Sequence, residues 1–159
     1  MKRWAFVIAS LLALIVSSSG RAESGLSFGV GVGALYSGLG VNVGTRSEHA
    51  FGYLAAGCIA VSHSSSEGWD LPCGVGAGWI WTGLLTKAND RHGVGIYAGP
   101  VSTNTRPGHD KVNYGAGLTY VYSFGDTVAK GLQLGITPTV GKKNGEYRGG
   151  VLINLGYQF

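Results

Sequence analysis

Along residues 146–159 the apolar side chains recur at every second position. Tyr147, Gly149, Val151, Ile153, Leu155, Tyr157 and Phe159 fall on one side, and Glu146, Arg148, Gly150, Leu152, Asn154, Gly156 and Gln158 on the other. Successive side chains of a β-strand point to opposite faces, so a period of two predicts a strand with one oily face and one small or polar face. The same alternation runs upstream. Val112, Tyr114, Ala116, Leu118, Tyr120, Tyr122 and Phe124 oppose Asn113, Gly115, Gly117, Thr119, Val121 and Ser123. Leu26, Phe28, Val30, Val32 and Ala34 oppose Ser27, Gly29, Gly31 and Gly33, and Leu132, Leu134, Ile136 and Val140 oppose Gln133, Gly135, Thr137, Thr139 and Gly141.

Dividing the chain at clusters of turn-forming residues predicts eight strands, over 26–36, 39–47, 51–62, 73–85, 92–103, 111–124, 131–141 and 146–159. The longest connection runs from His63 to Pro72. Eight strands bring both termini to one end, so the second, fourth and sixth connections, all short, close that end. Pro100 and Pro138 fall inside predicted strands, where each removes a ladder donor, and bulges or strand ends are expected there.

The small and polar face decides which way the strands look. Eight strands enclose an interior that side chains just fill, and bulky groups from every strand would overfill it, whereas lipid accepts them. Closure also pairs every backbone donor and acceptor, the condition for spanning hydrocarbon. The expected fold is therefore all-β, a closed antiparallel up-and-down eight-stranded transmembrane β-barrel. Tyr36, Tyr53, Trp69, Trp79, Trp81, Tyr97, Tyr122, Phe124, Tyr157 and Phe159 cluster near predicted strand ends, as interfacial girdles do. Twenty-eight of the 29 glycines follow residue 22, in no triplet period, which fits neither collagen nor helix. On the inner face glycine saves space in a narrow lumen.

Met1-Lys2-Arg3, an apolar run from Trp4 to Val16 and a small-residue stretch ending Gly20-Arg21-Ala22 have the layout of a secretory signal peptide, with cleavage expected after Ala22. Residues 1–22 are thus expected to be the leader and residues 23–159 a single barrel domain. Lys2, Arg3 and Arg21 would leave with the leader, taking twelve basic residues to nine against eight acidic ones and the net charge from +4 to near +1. The remaining charges are scattered, without the basic stripe that nucleic acid requires.

Leu155-Gly156-Tyr157-Gln158-Phe159 resembles the C-terminal strand signal of bacterial outer-membrane barrels, which ends in phenylalanine after alternating aromatic or aliphatic residues. With the alternation, residues 25–159 resemble in pattern the small eight-stranded outer-membrane proteins of the OmpA-barrel and OmpX type. That resemblance implies location in the bacterial outer membrane among its lipids, delivery by periplasmic chaperones, and recognition of Tyr157 and Phe159 by the barrel-assembly machinery. The short loops depart from the adhesive members.

Cys58 and Cys73, the only cysteines, are expected to form a disulfide, with free thiols or an intermolecular bond as alternatives. Positions paired across a hairpin share a constant sum, which puts its tip between Ser65 and Ser66. The chain-entropy model values such a loop at about 3 kcal/mol. His63, Ser65 and Glu67 supply a base, a nucleophile and an acid. Outer-membrane lipid A deacylases use a similar His and Ser pair with a Glu, but their flanking Phe and Asn are absent from Val61-Ser62-His63-Ser64-Ser65-Ser66. A solvated polar loop is the simpler reading. His49, His92 and His109 have no metal-ligand spacing, and no cofactor motif is present.

Asn42, Arg46, Asn113, Thr119, Gln133, Thr137, Thr139, Arg148, Asn154 and Gln158 predict a small polar lumen, with a hydrogen-bonded core around Arg148 and Glu146. The expectation is a non-enzymatic envelope barrel with a structural or interaction role, not a general diffusion pore. Two alternatives stay open: a lipid-modifying enzyme, and a soluble periplasmic barrel holding a small apolar ligand.

Overall fold

The computed structural model describes residues 25–47, 49–59, 62–64, 68–70, 72–85, 91–106, 109–125, 128, 130–143 and 145–159. The expected leader, Ser65 and Glu67 lie outside the described residues. Among the described residues ten strands follow one another: β1 (Leu26–Val32), β2 (Leu39–Ser47), β3 (Ala50–Cys58), β4 (Ser62–Ser64), β5 (Gly68–Asp70), β6 (Cys73–Thr82), β7 (His92–Arg106), β8 (His109–Ser123), β9 (Gly131–Lys143) and β10 (Glu146–Gln158). Eight of them close an antiparallel barrel in the order β1-β10-β9-β8-β7-β6-β3-β2, and β4 and β5 pair as a separate hairpin. Each barrel strand lies beside its sequence neighbours in the barrel, and β10 closes on β1 through Gly29↔Gln158 to Val32↔Leu155. This is the up-and-down barrel that the alternation predicts.

Orientation follows the pattern as well. Leu118, Ile136, Val151, Ile153 and Leu155 point outward and stay exposed, Ile153 at 67%, while Thr119, Thr137, Asn154 and Gln158 are buried inside. The oily face is thus the outer surface, and the lumen is filled. Exposed aromatics gather on the outside toward the end where β1 begins and β10 finishes, here called the terminal end: Trp79, Trp81, Phe124, Tyr157 and Phe159. Tyr114 and Tyr147 mark the outer surface toward the opposite, far end.

Three girdle residues turn out to be core residues. Tyr36, Tyr53 and Tyr97 are buried in the lumen. The lumen admits them because glycines on facing strands leave the room: a Cβ on Gly156 would sit 2.5 Å from the Tyr36 ring, and one on Gly31 2.7 Å from it. The Trp69 side chain lies outside the described residues.

The first strand is shorter than predicted. After Val32 the chain leaves the wall, makes a single 3-10 turn over Ala34–Tyr36 and rejoins the barrel at Leu39. Gly33 and Gly38 adopt φ of 103° and 107°, conformations that side-chain-bearing residues rarely take. They allow the reversal, and Gly33 N–H donates to the Gly38 carbonyl at 2.9 Å while Gly38 N–H donates back to Gly33 at 2.9 Å.

The two prolines behave differently. The β7–β8 register shifts between Pro100 and Ser102, the bulge expected at a residue without a ladder donor. Pro138 stays in strand with no register shift, but the β8–β9 ladder lapses opposite Leu118 and Thr119. A side-chain bond spans that gap, the Thr137 hydroxyl donating to Thr119 Oγ1 at 3.1 Å.

Candidate functional site: plugged lumen and charged mouth

The turn at Ala34–Tyr36 lies inside the barrel against β1, β2, β3, β6, β7 and β10 and acts as a plug, since Ala34, Leu35, Tyr36 and Ser37 have no exposed surface. Polar side chains of the wall hold its backbone. Leu35 N–H donates to Asn154 Oδ1 at 3.3 Å, and Asn42 Nδ2 donates to the Leu35 carbonyl at 3.0 Å. Gln158 Nε2 donates to Asn42 Oδ1 at 2.9 Å, and Asn154 Nδ2 donates to Thr137 Oγ1 at 2.9 Å. One network therefore runs from Gln158 on β10 through the plug and on to Thr119 on β8. Buried amides and hydroxyls need such partners, because an orphaned group costs about 1–3 kcal/mol.

The opposite wall is apolar. Phe51, Tyr53, Ala55, Ile80, Val121 and Val128 pack with Leu35 and Tyr36 into one buried cluster. Val128 comes from the connection between β8 and β9 and tucks into the terminal end of the lumen, where its carbonyl accepts from Gln133 Nε2. The Tyr36 hydroxyl reaches the same glutamine, donating to Oε1 at 3.4 Å. The lumen is thus filled by polar side chains of β8, β9, β10 and β2 on one side and, on the other, by apolar side chains of β3 and β6 joined by Val121 of β8 and Val128. Ser37 Oγ, Tyr53 OH and Gln158 Oε1 are buried without a partner among the described residues.

Of the residues the sequence assigns to the lumen, Gln133 and Asn154 are buried in this network. Arg148 and Glu146 require a correction. They pair with each other at 2.8 Å, but their side chains are 70% and 71% exposed, so they form no buried core. The reason is geometric. The β9–β10 hairpin runs past the point where β1 leaves the wall, and β10 pairs with β1 only through Leu155–Gln158. Beyond the rim an inward-facing position looks into open space.

That space is the far-end mouth, a hollow of about 580 Å³ lined by Ser102, Thr139, Lys143, Glu146 and Arg148 among others. Lys143 and Glu146 are opposed in register, with Arg148 opposite Gly141. The mouth collects more positive than negative side chains over a floor of hydroxyls, which suits an anion.

The remaining candidates lie elsewhere. Cys58 and Cys73 are register partners at the far end of β3 and β6 and are joined as a disulfide, with their Cα atoms 3.8 Å apart. Ile59 N–H donates to the Pro72 carbonyl at 3.1 Å just beyond them, so the bridge closes the base of the connection that carries β4 and β5. His63 stands in β4 opposite Trp69, and its side chain, like Ser65 and Glu67, is outside the described residues. Tyr157 and Phe159 stack edge to face on the outer surface, with ring centroids 4.9 Å apart. The chain end is tied into the sheet, Phe159 N–H donating to the Phe28 carbonyl at 2.7 Å and the Ser27 hydroxyl to the Phe159 carbonyl at 3.0 Å. His92 opens β7 with Nδ1 2.9 Å from the Tyr120 hydroxyl and its ring against Tyr122.

The plug was missed by the sequence reading because Ala34 and Tyr36 continue the apolar parity of Leu26 to Val32. The flanking Gly33 and Ser37-Gly38 are the only signal of the reversal. No family model, curated protein or solved structure matches this chain.

Proposed function

We propose that this chain is a small integral outer-membrane β-barrel with a structural or interaction role at the Gram-negative envelope, closed to general diffusion. One observation carries the proposal: a closed barrel whose outer wall is apolar all round. Soluble monomers rarely expose contiguous apolar patches above a few hundred Å². Here Phe28, Val41, Leu54, Val75, Ile96, Leu118, Ile136 and Ile153, from every strand of the wall, are all exposed. Hydrocarbon is the solvent in which such a surface is stable, and strands of ten to fifteen residues, as in β6 to β10, suffice to cross it. The outer aromatics toward the terminal end fit an interfacial belt. A soluble barrel binding an apolar ligand would need Val151, Ile153 and Leu155 to line its cavity, and all three are exposed. The plug and the filled lumen argue against a pore.

The test is expression of the whole chain in a Gram-negative host, followed by fractionation and electrophoresis with and without boiling. The protein is expected in the outer-membrane fraction, migrating faster unboiled than boiled, and to give no conductance steps in a planar bilayer. Recovery from the periplasm without detergent would overturn the proposal.

A further inference from the structure

We propose that the far-end mouth binds a sugar-sized ligand bearing a phosphoryl group. The inference rests on the closed barrel and its plug, and needs no particular compartment. Two cations, Lys143 and Arg148, line this mouth, and the parity of β8 puts Lys111 on the same inward face. Lys111 stands two residues beyond buried Asn113 on β8, Lys143 two residues beyond buried Gly141 on β9, and Arg148 opposite Gly141 on β10. Among the described residues Glu146 is the one acid of the mouth lining, and Arg148 engages it at 2.8 Å. Lys143 faces the same glutamate across the ladder, so the lining carries two cations against one acid.

The floor offers neutral polar contacts. The bulge after Pro100 turns both Val101 and Ser102 inward, and the Ser102 hydroxyl accepts from Asn113 Nδ2 at 3.3 Å, with Thr139 alongside. The wall formed by Gly149 and Gly150 carries no side chain, and a Cβ on Gly149 would meet only the Thr139 carbonyl, at 3.8 Å. A ligand can therefore lie against bare backbone. The hollow of about 580 Å³ is of the size that holds a small molecule. Guanidinium and ammonium groups together favour phosphoryl oxygens, through charge-assisted hydrogen bonds. Since each exposed pair is weak alone, binding depends on their convergence in one concavity. The sealed lumen below makes the mouth a place of capture and not of passage.

The experiment titrates the full chain, folded in nonionic detergent, with glucose 6-phosphate, using glucose and sulfate as controls. Calorimetry reads affinity, and amide shifts over residues 139–150 read location. Saturable binding is expected for glucose 6-phosphate, weakened about tenfold or more by Lys143→Gln with Arg148→Gln. Lys142→Gln removes the same charge from the outward face of the same hairpin and should leave affinity unchanged. Gly150→Leu fills the hollow without changing charge and should also weaken binding, with gel mobility reporting that each variant is folded. Equal losses from Lys142→Gln and Lys143→Gln would reduce the site to diffuse attraction and overturn the proposal, as would binding of glucose or sulfate alone with equal affinity, or no saturation. A parallel arm uses micelles doped with phosphatidic acid. A response confined to that arm would assign the mouth to a lipid headgroup and likewise refute the sugar ligand.

Discussion

Tyr36 is held by what its neighbours lack. Its ring lies against Gly31 and Gly156, and a Cβ on Gly156 would sit 2.5 Å from it, closer than real contacts allow. Gly156→Val is therefore expected to destabilise the barrel by about 1–3 kcal/mol, the usual range for overpacking a filled core. Gly149→Val is the control, since a Cβ there meets nothing nearer than 3.8 Å and strand propensity favours valine. Urea unfolding in lipid vesicles, followed by tryptophan fluorescence, should lower the midpoint for the first variant and leave the second near wild type. Asn154 tests the polar side. It accepts from Leu35 N–H and donates to Thr137 Oγ1, which keeps its own bond to Thr119, so Asn154→Leu orphans the buried Leu35 N–H and should cost about 1–3 kcal/mol in the same assay. The parity of residues 146–159 was enough to place Asn154 and Gln158 on the inner face. It could not tell that Arg148, on that same face, stands clear of the core, because parity reports direction and not how far the neighbouring strand extends.

At the scale of the element, strands were readable wherever both faces had distinct chemistry. The alternation through Val112–Phe124 and Leu132–Gly141 gave β8 and β9 to within a few residues, because inside and outside select different side chains at every step. The plug escaped because its residues keep the apolar parity of the strand before it, and the change is one of backbone direction at Gly33 and Gly38. The β3–β6 hairpin was readable from the two cysteines, whose spacing anticipated the register pair Cys58↔Cys73. The bridge closes a loop of 15 residues in sequence separation, so Cys58→Ser with Cys73→Ser should lower stability by up to about 3 kcal/mol by relaxing the unfolded chain. The nine-residue β3–β6 ladder does not depend on the bridge, and the double variant should still fold. Heat-modifiable migration retained after reduction, with a lower urea midpoint, is the expected pair of results. Loss of the folded band would mean that the bridge directs folding itself.

Across the whole molecule the outer surface is inverted relative to a soluble protein, with aliphatic side chains facing out and amides and hydroxyls buried beside an apolar cluster within, and this inversion yields a prediction whose size depends on the surrounding solvent. Ile153 lies on the outer wall of β10, about midway between Tyr147 toward the far end and Tyr157 toward the terminal end, and is 67% exposed. If the wall meets hydrocarbon, Ile153→Arg buries a charge near the midplane and should cost about 2–4 kcal/mol, while Tyr147→Arg near the rim should cost about 0–1 kcal/mol. If the wall meets water, both are surface substitutions, and both should fall within about 0.5 kcal/mol of wild type. Equilibrium unfolding of the three proteins in vesicles separates these cases by the gap between the two variants. A large penalty at Ile153 with little at Tyr147 is the expected result. Two near-neutral variants would return the oily face to some other partner and leave the barrel without its membrane.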